Sequence, residues 1–202
     1  MRGSDTRSQI IKTAIRLASR EGLEAISIGK IATKVGMSKS GLFGHFKSKE
    51  NLQLEILQTV ADRFAKRVFV PAMKEPRGLP RLQAIHQNWL KWVQGSQELP
   101  GGCLLIAAAS EMDDQPGPLK DHLKKMQLLL IENLQKAAQI AKDEGHFHAQ
   151  VDVERMGWYW YSLILGYHHY KRLLNHPRAD EFAEHAFAEF LQRCQAKKGD
   201  IA

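Results

Sequence analysis

The chain has 202 residues, of which 44% are hydrophobic and 25% are charged, a composition typical of globular proteins with one or two domains. The longest apolar run, residues 103–109, is far shorter than the ~20 residues of a membrane-spanning helix, and the polar N-terminus lacks a signal core. We therefore expect a cytoplasmic protein without a membrane partner. Its two cysteines, Cys103 and Cys194, provide no disulfide framework.

Positive charge is concentrated at the N-terminus. Residues 1–50 contain ten Lys/Arg and four acidic residues, whereas residues 51–202 contain nineteen Lys/Arg and eighteen acidic residues. A basic segment is typical of proteins that bind a phosphate-rich partner, either nucleic acid or an anionic membrane surface. A solvated surface without such a partner is the alternative.

The first fifty residues contain a helix-turn-helix pattern. Apolar residues at helical spacing predict a first helix over residues 6–21. Ser27 caps a second helix that ends at Gly36, and Ser38 caps a third helix only two residues later. Two short helices joined by a tight turn with glycine are typical of proteins whose second helix enters the major groove of DNA.

The third helix lies in the stretch GMSKSGLFGHF, residues 36–46, and is weak by propensity, since an interior glycine costs about 1 kcal/mol relative to alanine. Leu42 and Phe46 are expected to hold it against the core. Its opposite face carries small or hydrogen-bonding residues, which let DNA approach: Lys39, Ser40, Gly41, Gly44 and His45. A membrane-surface helix would need large apolar side chains opposite lysines, so DNA is the favoured partner.

The remaining sequence predicts helices only. Ser48 caps a fourth helix over about residues 48–70, and five more are predicted over residues 79–95, 103–113, 119–144, 152–175 and 180–196. Apolar residues recur at spacings of three and four rather than two, so no strand is expected. The predicted fold class is all-α, with about nine helices.

The last two predicted helices carry more apolar surface than one core requires. The eighth contains MGWYWYSLILGYHHY, and the ninth has Phe182, Ala186 and Phe190 on one stripe beside Phe187. Such surfaces fit packing across a two-fold axis, although both helices could instead only complete the monomer core. In a homodimer, two recognition helices about 34–36 Å apart would read a palindromic site in double-stranded DNA.

The stretch ISIGKIATKVGMSKSGLFGHFKSKENL, residues 26–52, resembles the N-terminal domain of TetR/AcrR-type transcriptional regulators. The resemblance implies a DNA-binding domain over residues 1–50, which helix four connects to a ligand-binding and dimerisation domain over residues 51–202. It also implies a four-helix dimer interface made by helices eight and nine.

Nine residues are predicted to contact DNA: Ser27, Lys30, Ser38, Lys39, Ser40, Gly41, Phe43, His45 and Lys49. The resemblance implies that Ser27 and His45 meet the phosphate backbone, and that residues 39–41 lie where base contacts are made. Phe43 stands where tyrosine is typical, so one phosphate contact is expected to be missing, unless Phe43 belongs to the core. Lys49 lies beside unpaired helix N–H groups and a positive dipole end, which together favour an anion.

Several of these residues also fit roles that do not involve DNA. Ser27 and Ser38 also fit a role as helix caps alone, and Lys30 fits a solvated surface position.

The resemblance further implies a pocket in the C-terminal domain for a small-molecule effector. Eight side chains are candidates for its lining: Trp89, Trp92, Cys103, Met126, Trp158, Tyr161, Tyr167 and His168. Their aromatic rings favour an apolar or planar ligand, whereas each residue taken singly also fits the core.

Other chemistries have weaker support. At the start of an apolar helix, Cys103 would have a lowered pKa and sense oxidants as a thiolate, or it is an inert buried residue. Neither close histidine pair, residues 146/148 or 168/169, has the i, i+4 spacing of a metal site, so no metal or cofactor is expected. Without a phosphate-binding loop, nucleophile elbow or HExxH motif, no enzymatic activity is expected either.

These patterns together predict a ligand-responsive, dimeric DNA-binding transcriptional regulator, a repressor that a small apolar or aromatic effector releases from a palindromic operator. The alternative is a ligand-independent architectural or division-control DNA-binding protein of the same fold.

Overall fold

A computed structural model describes the backbone of residues 3–196 and the side chains from residue 6 onward. Nine main helices occupy this range: α1 (Gly3–Glu21), α2 (Ile28–Val35), α3 (Lys39–Phe46), α4 (Lys49–Phe64), α5 (Leu79–Gln94), α6 (Leu104–Met112), α7 (Pro118–Asp143), α8 (Val153–Arg172) and α9 (Ala179–Cys194). Within the described residues there is no β-strand, only an isolated bridge between Phe147 and Gln195. The predicted all-α class is confirmed.

The segment that follows α4 departs from a regular α-helix. Residues Ala65–Phe69 form a π-helical segment, and Val70–Ala72 complete a short helical end. Phe64 and Val70 both keep right-handed helical backbone angles, so helical structure continues from α4 to Ala72. The predicted helix over residues 48–70 therefore exists, but it contains a wider turn that periodicity did not indicate.

The helices pack into two compact units. The first contains the described residues up to Arg63 together with Gly95–Met126, and the second contains Phe64–Gln94 and the described residues from Gln127 onward. The predicted functional boundary, between residues 1–50 and 51–202, stays a prediction.

The first unit has a core of mainly aliphatic side chains from α1 to α4, to which Phe46 adds an aromatic ring. Each of these helices contributes side chains that are at most 2% exposed, among them Ile15, Ile31, Leu42, Phe46 and Ile56. Burying a side chain of this size stabilises the fold by about 1.5–3 kcal/mol. This burial offsets the weak intrinsic propensity of α3, because Leu42 and Phe46 fix the helix from its inner face.

The second unit has an aromatic core that surrounds a buried histidine. Phe64 packs edge-on against Trp89 and Trp92, with ring centroids 5.4 and 5.5 Å apart. His86 stacks on Phe187 at 3.5 Å, and Trp160 donates its indole N–H to His86 Nδ1 at 3.2 Å. Burial lowers the pKa of His86 from 6.5 to about 3, so the ring is neutral near pH 7. Through these two contacts the His86 ring, on α5, connects this helix to α8 and α9.

No helix within the described residues is both long enough and apolar enough to cross a membrane.

Candidate nucleic-acid interface

The helix-turn-helix is built by two serine caps and a glycine. Ser27 Oγ accepts a hydrogen bond from Lys30 N at 3.2 Å and begins α2, and Ser38 Oγ accepts one from Gly41 N at 3.0 Å and begins α3. Gly36 ends α2 with φ 69°, the left-handed conformation that glycine adopts without strain. Both serines therefore act as caps, as predicted, and both remain exposed at the surface.

The C-terminal end of α3 is held by an arginine that the sequence did not single out. The Arg7 guanidinium lies 4.6 Å from the centre of the Phe46 ring and donates to His45 O at 2.6 Å. Its Nε also donates to Glu55 Oε1 at 2.9 Å. Arg7 thus ties α1 and α4 to the carbonyl end of α3, where a positive charge is favourable.

The outer face of α3 is exposed, as a reading helix requires. Lys39, Ser40 and Gly41 are exposed, and His45 is half-buried. Phe43 is 53% exposed, so the alternative that it belongs to the core is wrong. Among the described residues of the first unit, no other large apolar side chain is exposed. Gly44 leaves open space beside it, with no atom within 4 Å of the position of a Cβ.

Two lysines predicted to contact DNA already have carboxylate partners. Lys49 Nζ lies 2.6 Å from Glu24 Oε1 and donates to Glu24 O at 2.8 Å, and Lys30 pairs with Glu21. Exposed ion pairs of this kind contribute about 0–1 kcal/mol, so a DNA phosphate can compete for either lysine. The sequence reasoning missed both acidic residues, since only packing brings Glu24 and Lys49 together.

The predicted pocket residues divide between the two units. Cys103 and Met126 belong to the first unit, where Cys103 is buried just ahead of α6 and Met126 is half-buried. The other six belong to the second unit: Trp89, Trp92, Trp158, Tyr161, Tyr167 and His168.

Within the second unit, only some of the predicted pocket residues come together. The rings of Trp89 and Tyr161 lie 6.1 Å apart, and the Tyr161 hydroxyl donates to Gln127 Oε1. Trp158 is 62% exposed and packs against Tyr159 instead.

Some of the predicted pocket residues have a hydrogen-bond partner for their buried polar atom, and others have none. Tyr167 donates to Asp180 Oδ1 at 2.6 Å, and burial raises the pKa of its hydroxyl. The indole nitrogens of Trp89 and Trp92 and the Nε2 atom of His168 are buried without a hydrogen-bond partner. Burial also lowers the pKa of His168, which keeps its ring neutral near pH 7.

The predicted dimer residues lie on α9, but they differ in exposure. Phe182 is 40% exposed, Ala186 and Phe190 are half-buried, and Phe187 packs inside the second unit against His86 and Trp160. On α8, Tyr159 lies 5.8 Å from Phe190, ring to ring.

An apolar surface therefore runs along the outside of α8 and α9. Its large side chains are Tyr159, Leu163, Tyr170, Phe182 and Phe190. A cavity of about 450 Å³ opens beside Tyr159 and Phe190.

Family models match both parts of the chain. Residues 10–56 match the family described as "Bacterial regulatory proteins, tetR family". Residues 78–187, more than half of the chain, match the family described as "Tetracyclin repressor-like, C-terminal domain".

Two curated relatives match about a quarter of the chain, and a third matches most of it. The chain is 45% identical over 51 residues to the "Uncharacterized HTH-type transcriptional regulator YerO" of Bacillus subtilis, a match covering 25% of this chain and 18% of that protein. It is 38% identical over 52 residues to the "HTH-type transcriptional regulator AcrR" of Shigella flexneri, covering 26% of this chain and 24% of the relative. The chain thus spans only 18–24% of the length of these two relatives. A longer match, 22% identical, covers 79% of this chain and 76% of the "HTH-type transcriptional repressor ComR" of Escherichia coli.

Solved structures share the fold over nearly the whole chain. A TetR transcriptional regulator from Chloroflexus aurantiacus aligns with TM-score 0.83 and 23% identity, covering 94% of each chain. A putative transcriptional regulator from Saccharomonospora viridis, solved in complex with choline, aligns with TM-score 0.81 and 19% identity, covering 96% of this chain and 100% of that one. AibR, solved in complex with isovaleryl coenzyme A and operator DNA, aligns with TM-score 0.72 and 20% identity, covering 91% and 96%.

Proposed function

Because the chain belongs to the TetR family of DNA-binding transcriptional regulators, we propose that it is a dimeric repressor, released from a palindromic operator by a small apolar or aromatic effector. The observation that carries this proposal is the outer face of α3, which presents Lys39, Ser40 and the exposed Phe43 directly after the Ser38 cap. We place its action in the cytoplasm, where operator DNA lies, and assign it no catalytic role.

DNA binding is divided between positioning and reading. In this proposal Ser27, Lys30, His45 and Lys49 meet the phosphate backbone, which fixes the protein on DNA without selecting a sequence. The N-terminal residues of α3, from Ser38 to Gly41, approach base edges in the major groove.

Dimerisation would use the apolar surface along α8 and α9. The exposed rings of Tyr159, Tyr170 and Phe182 would be buried against the same surface of a second copy, which supports a two-fold interface. Phe190 and Ala186 lie beside them, and the cavity next to Phe190 gives room for partner side chains. Two α3 helices in such a dimer would read two inverted half-sites.

Effector binding would take place inside the second unit. The buried indole N–H groups of Trp89 and Trp92 are donors that lack an acceptor, and the Phe64 ring packs edge-on against both indoles. A planar ligand with one or two acceptor atoms would complete these hydrogen bonds. The relatives solved with choline and with isovaleryl coenzyme A support a ligand-binding role for this fold.

Release from DNA would follow from a two-state equilibrium. An effector that binds better to a conformation with wrongly spaced α3 helices shifts the population toward that state and lowers operator affinity.

Binding-site selection from a random duplex library, using the purified full-length chain, tests this proposal. Recovery of a motif with two inverted half-sites is expected, and Lys39→Ala should weaken binding to that motif more than to random DNA of the same length. Lys12→Ala, on the exposed side of α1, serves as the matched control for loss of one positive charge. A selection that enriches no motif would contradict the proposal.

The alternative of a ligand-independent DNA-binding protein is separated by titration. Operator affinity is measured with and without a panel of small aromatic and apolar compounds. An effector that releases the operator from the parent protein should have less effect on a Trp89→Phe variant, which lacks the indole donor. A panel without any effect on affinity would favour the architectural or division-control role.

A further inference from the structure

The turn between α1 and α2 is held by a carboxylate from a distant helix. Glu111, near the C-terminal end of α6, accepts a hydrogen bond from Leu23 N on Oε1 at 3.1 Å and from Glu24 N on Oε2 at 2.9 Å. Each carboxylate oxygen therefore satisfies one backbone N–H. Hydrogen bonds to a charged acceptor are stronger than neutral ones, so this fork fixes the turn.

Two further contacts keep the turn and Glu111 in register. The side chain of Gln53, only 2% exposed, donates its amide to Leu23 O at 2.9 Å. Gly101 N donates to Ser19 Oγ at 2.8 Å, and a Cβ at Gly101 would lie 1.4 Å from Ser19 O. Only glycine allows this approach, so the loop ahead of α6 packs directly on the end of α1.

The same turn holds a lysine at the start of α4. Glu24 binds the ammonium group of Lys49 twice, through its carbonyl oxygen at 2.8 Å and its carboxylate at 2.6 Å. Lys49 is the first residue of α4, where the unpaired N–H groups of the helix favour a phosphate. The chain of contacts runs from Glu111 through Glu24 to Lys49, all within the first unit.

We propose that Glu111 is a positioning residue for DNA binding: by holding the N–H groups of Leu23 and Glu24, it places the Lys49 ammonium where it meets a DNA phosphate. This inference rests on the proposed function. Glu111 itself does not touch DNA and acts only through the turn.

The sign of the effect separates positioning from simple electrostatics. Removing one negative charge from a DNA-binding unit strengthens binding through the long-range field. Loss of positioning has the opposite sign. Asp114, an exposed acidic residue two positions beyond α6, gives a matched control because no hydrogen bond in the described structure joins it to the turn.

The experiment measures binding of the full-length chain to its selected operator and to a scrambled duplex, between about 50 and 200 mM salt. Glu111→Gln should weaken binding to both duplexes about tenfold and flatten the log–log salt dependence by about one for each protomer, as Lys49→Ala does. Asp114→Asn should bind as tightly as the parent or more tightly, with an unchanged slope. The double variant Glu111→Gln/Lys49→Ala should be no weaker than Lys49→Ala alone.

Several outcomes would overturn the inference. These are tighter binding by Glu111→Gln, additive losses in the double variant, a parental salt slope for Lys49→Ala, or a change in thermal unfolding without any change in affinity or slope. If Glu111→Gln does not fold, Gln53→Met releases the turn carbonyl without altering charge and should show a smaller loss of slope; a parental slope would again overturn the inference. Failure of the parent chain to prefer any sequence would instead refute the proposed function.

Discussion

The helix-turn-helix segment, residues 6–63, and the second unit differ in whether their buried polar side-chain atoms have hydrogen-bond partners. Among residues 6–63, no buried side-chain nitrogen or oxygen lacks a hydrogen-bond partner, and even the buried Gln53 amide has one. In the second unit, the indole nitrogens of Trp89 and Trp92 and the Nε2 atom of His168 have none. An unsatisfied buried donor costs about 1–3 kcal/mol, so this difference has an energetic consequence.

The contrast fits the partners proposed for the two units. In the interior of the helix-turn-helix segment every buried polar side-chain atom has a hydrogen-bond partner. The groups proposed to contact DNA, such as Lys39 and Phe43, lie on its surface. The second unit keeps donors in its interior, where an effector could complete them. Substitutions inside the two units should therefore have different signatures.

The largest effect is expected inside the helix-turn-helix segment. Phe46 is 2% exposed and lies beneath Arg7, so Phe46→Ala removes a large apolar contact and leaves a cavity. We expect a loss of about 3–5 kcal/mol in the free energy of unfolding, measured by urea denaturation. Phe43→Ala, on the exposed side of the same helix, is the control and should change stability by less than about 0.5 kcal/mol. Equal losses at the two positions would contradict this division of α3 into an inner and an outer face.

The second effect is a pH dependence that belongs to the second unit. The pKa of His86 is about 3 in the folded protein and 6.5 when unfolded, so below pH 6.5 the unfolded chain binds the extra proton. His86 therefore has little effect on the free energy of unfolding above pH 6.5. As the pH falls below that value it lowers this free energy, by roughly 2 kcal/mol between pH 7 and pH 5. His86→Gln should flatten the fall, compared by urea denaturation at several pH values. His185→Gln is the control, because His185 lies on the exposed side of α9. A parental pH profile in His86→Gln would refute the assignment.

Local sequence signals predicted the backbone of the DNA-binding segment well. Ser27, Gly36 and Ser38 act within a few residues of themselves, and the structure confirms all three as helix ends. The all-α class followed from periodicity in the same way. The π-helical segment Ala65–Phe69 was not predicted, because a wider turn has no signature in apolar spacing.

The contacts that support the candidate site could not be predicted from the sequence. Arg7 and Glu55 are 48 positions apart, and Glu111 lies 88 positions from Leu23, so no local pattern links them. Their pairing depends on how the helices pack. Lys49 is an example: the sequence predicts its position at the start of a helix, but it does not predict its partner Glu24.

A third test compares two buried tryptophans of the second unit. Trp160 donates to His86, whereas the Trp89 N–H has no partner, and both side chains are at most 1% exposed. Replacement by phenylalanine makes the same chemical change at both positions. Trp160→Phe should be more destabilising than Trp89→Phe by about 1–2 kcal/mol in urea denaturation, because it alone leaves an acceptor unpaired. Equal values would mean that the Trp89 donor is satisfied and would weaken the case for an internal effector site.

The smallest effect is expected on the exposed face of α3, at Phe43. Phe43→Tyr adds a hydroxyl to a ring that is already 53% exposed, so stability should not change. If the ring lies beside the DNA backbone, the hydroxyl gains one hydrogen bond to a phosphate, and affinity should rise about threefold to tenfold for operator and random duplex alike. The salt dependence should keep its slope, because a neutral hydroxyl displaces no counterion. Gly44→Ala, which adds only a methyl group in open space on the same face, is the control for a change of shape. A gain confined to the operator would instead show that residue 43 lies against bases, so the outer face of α3 would read sequence over its whole length.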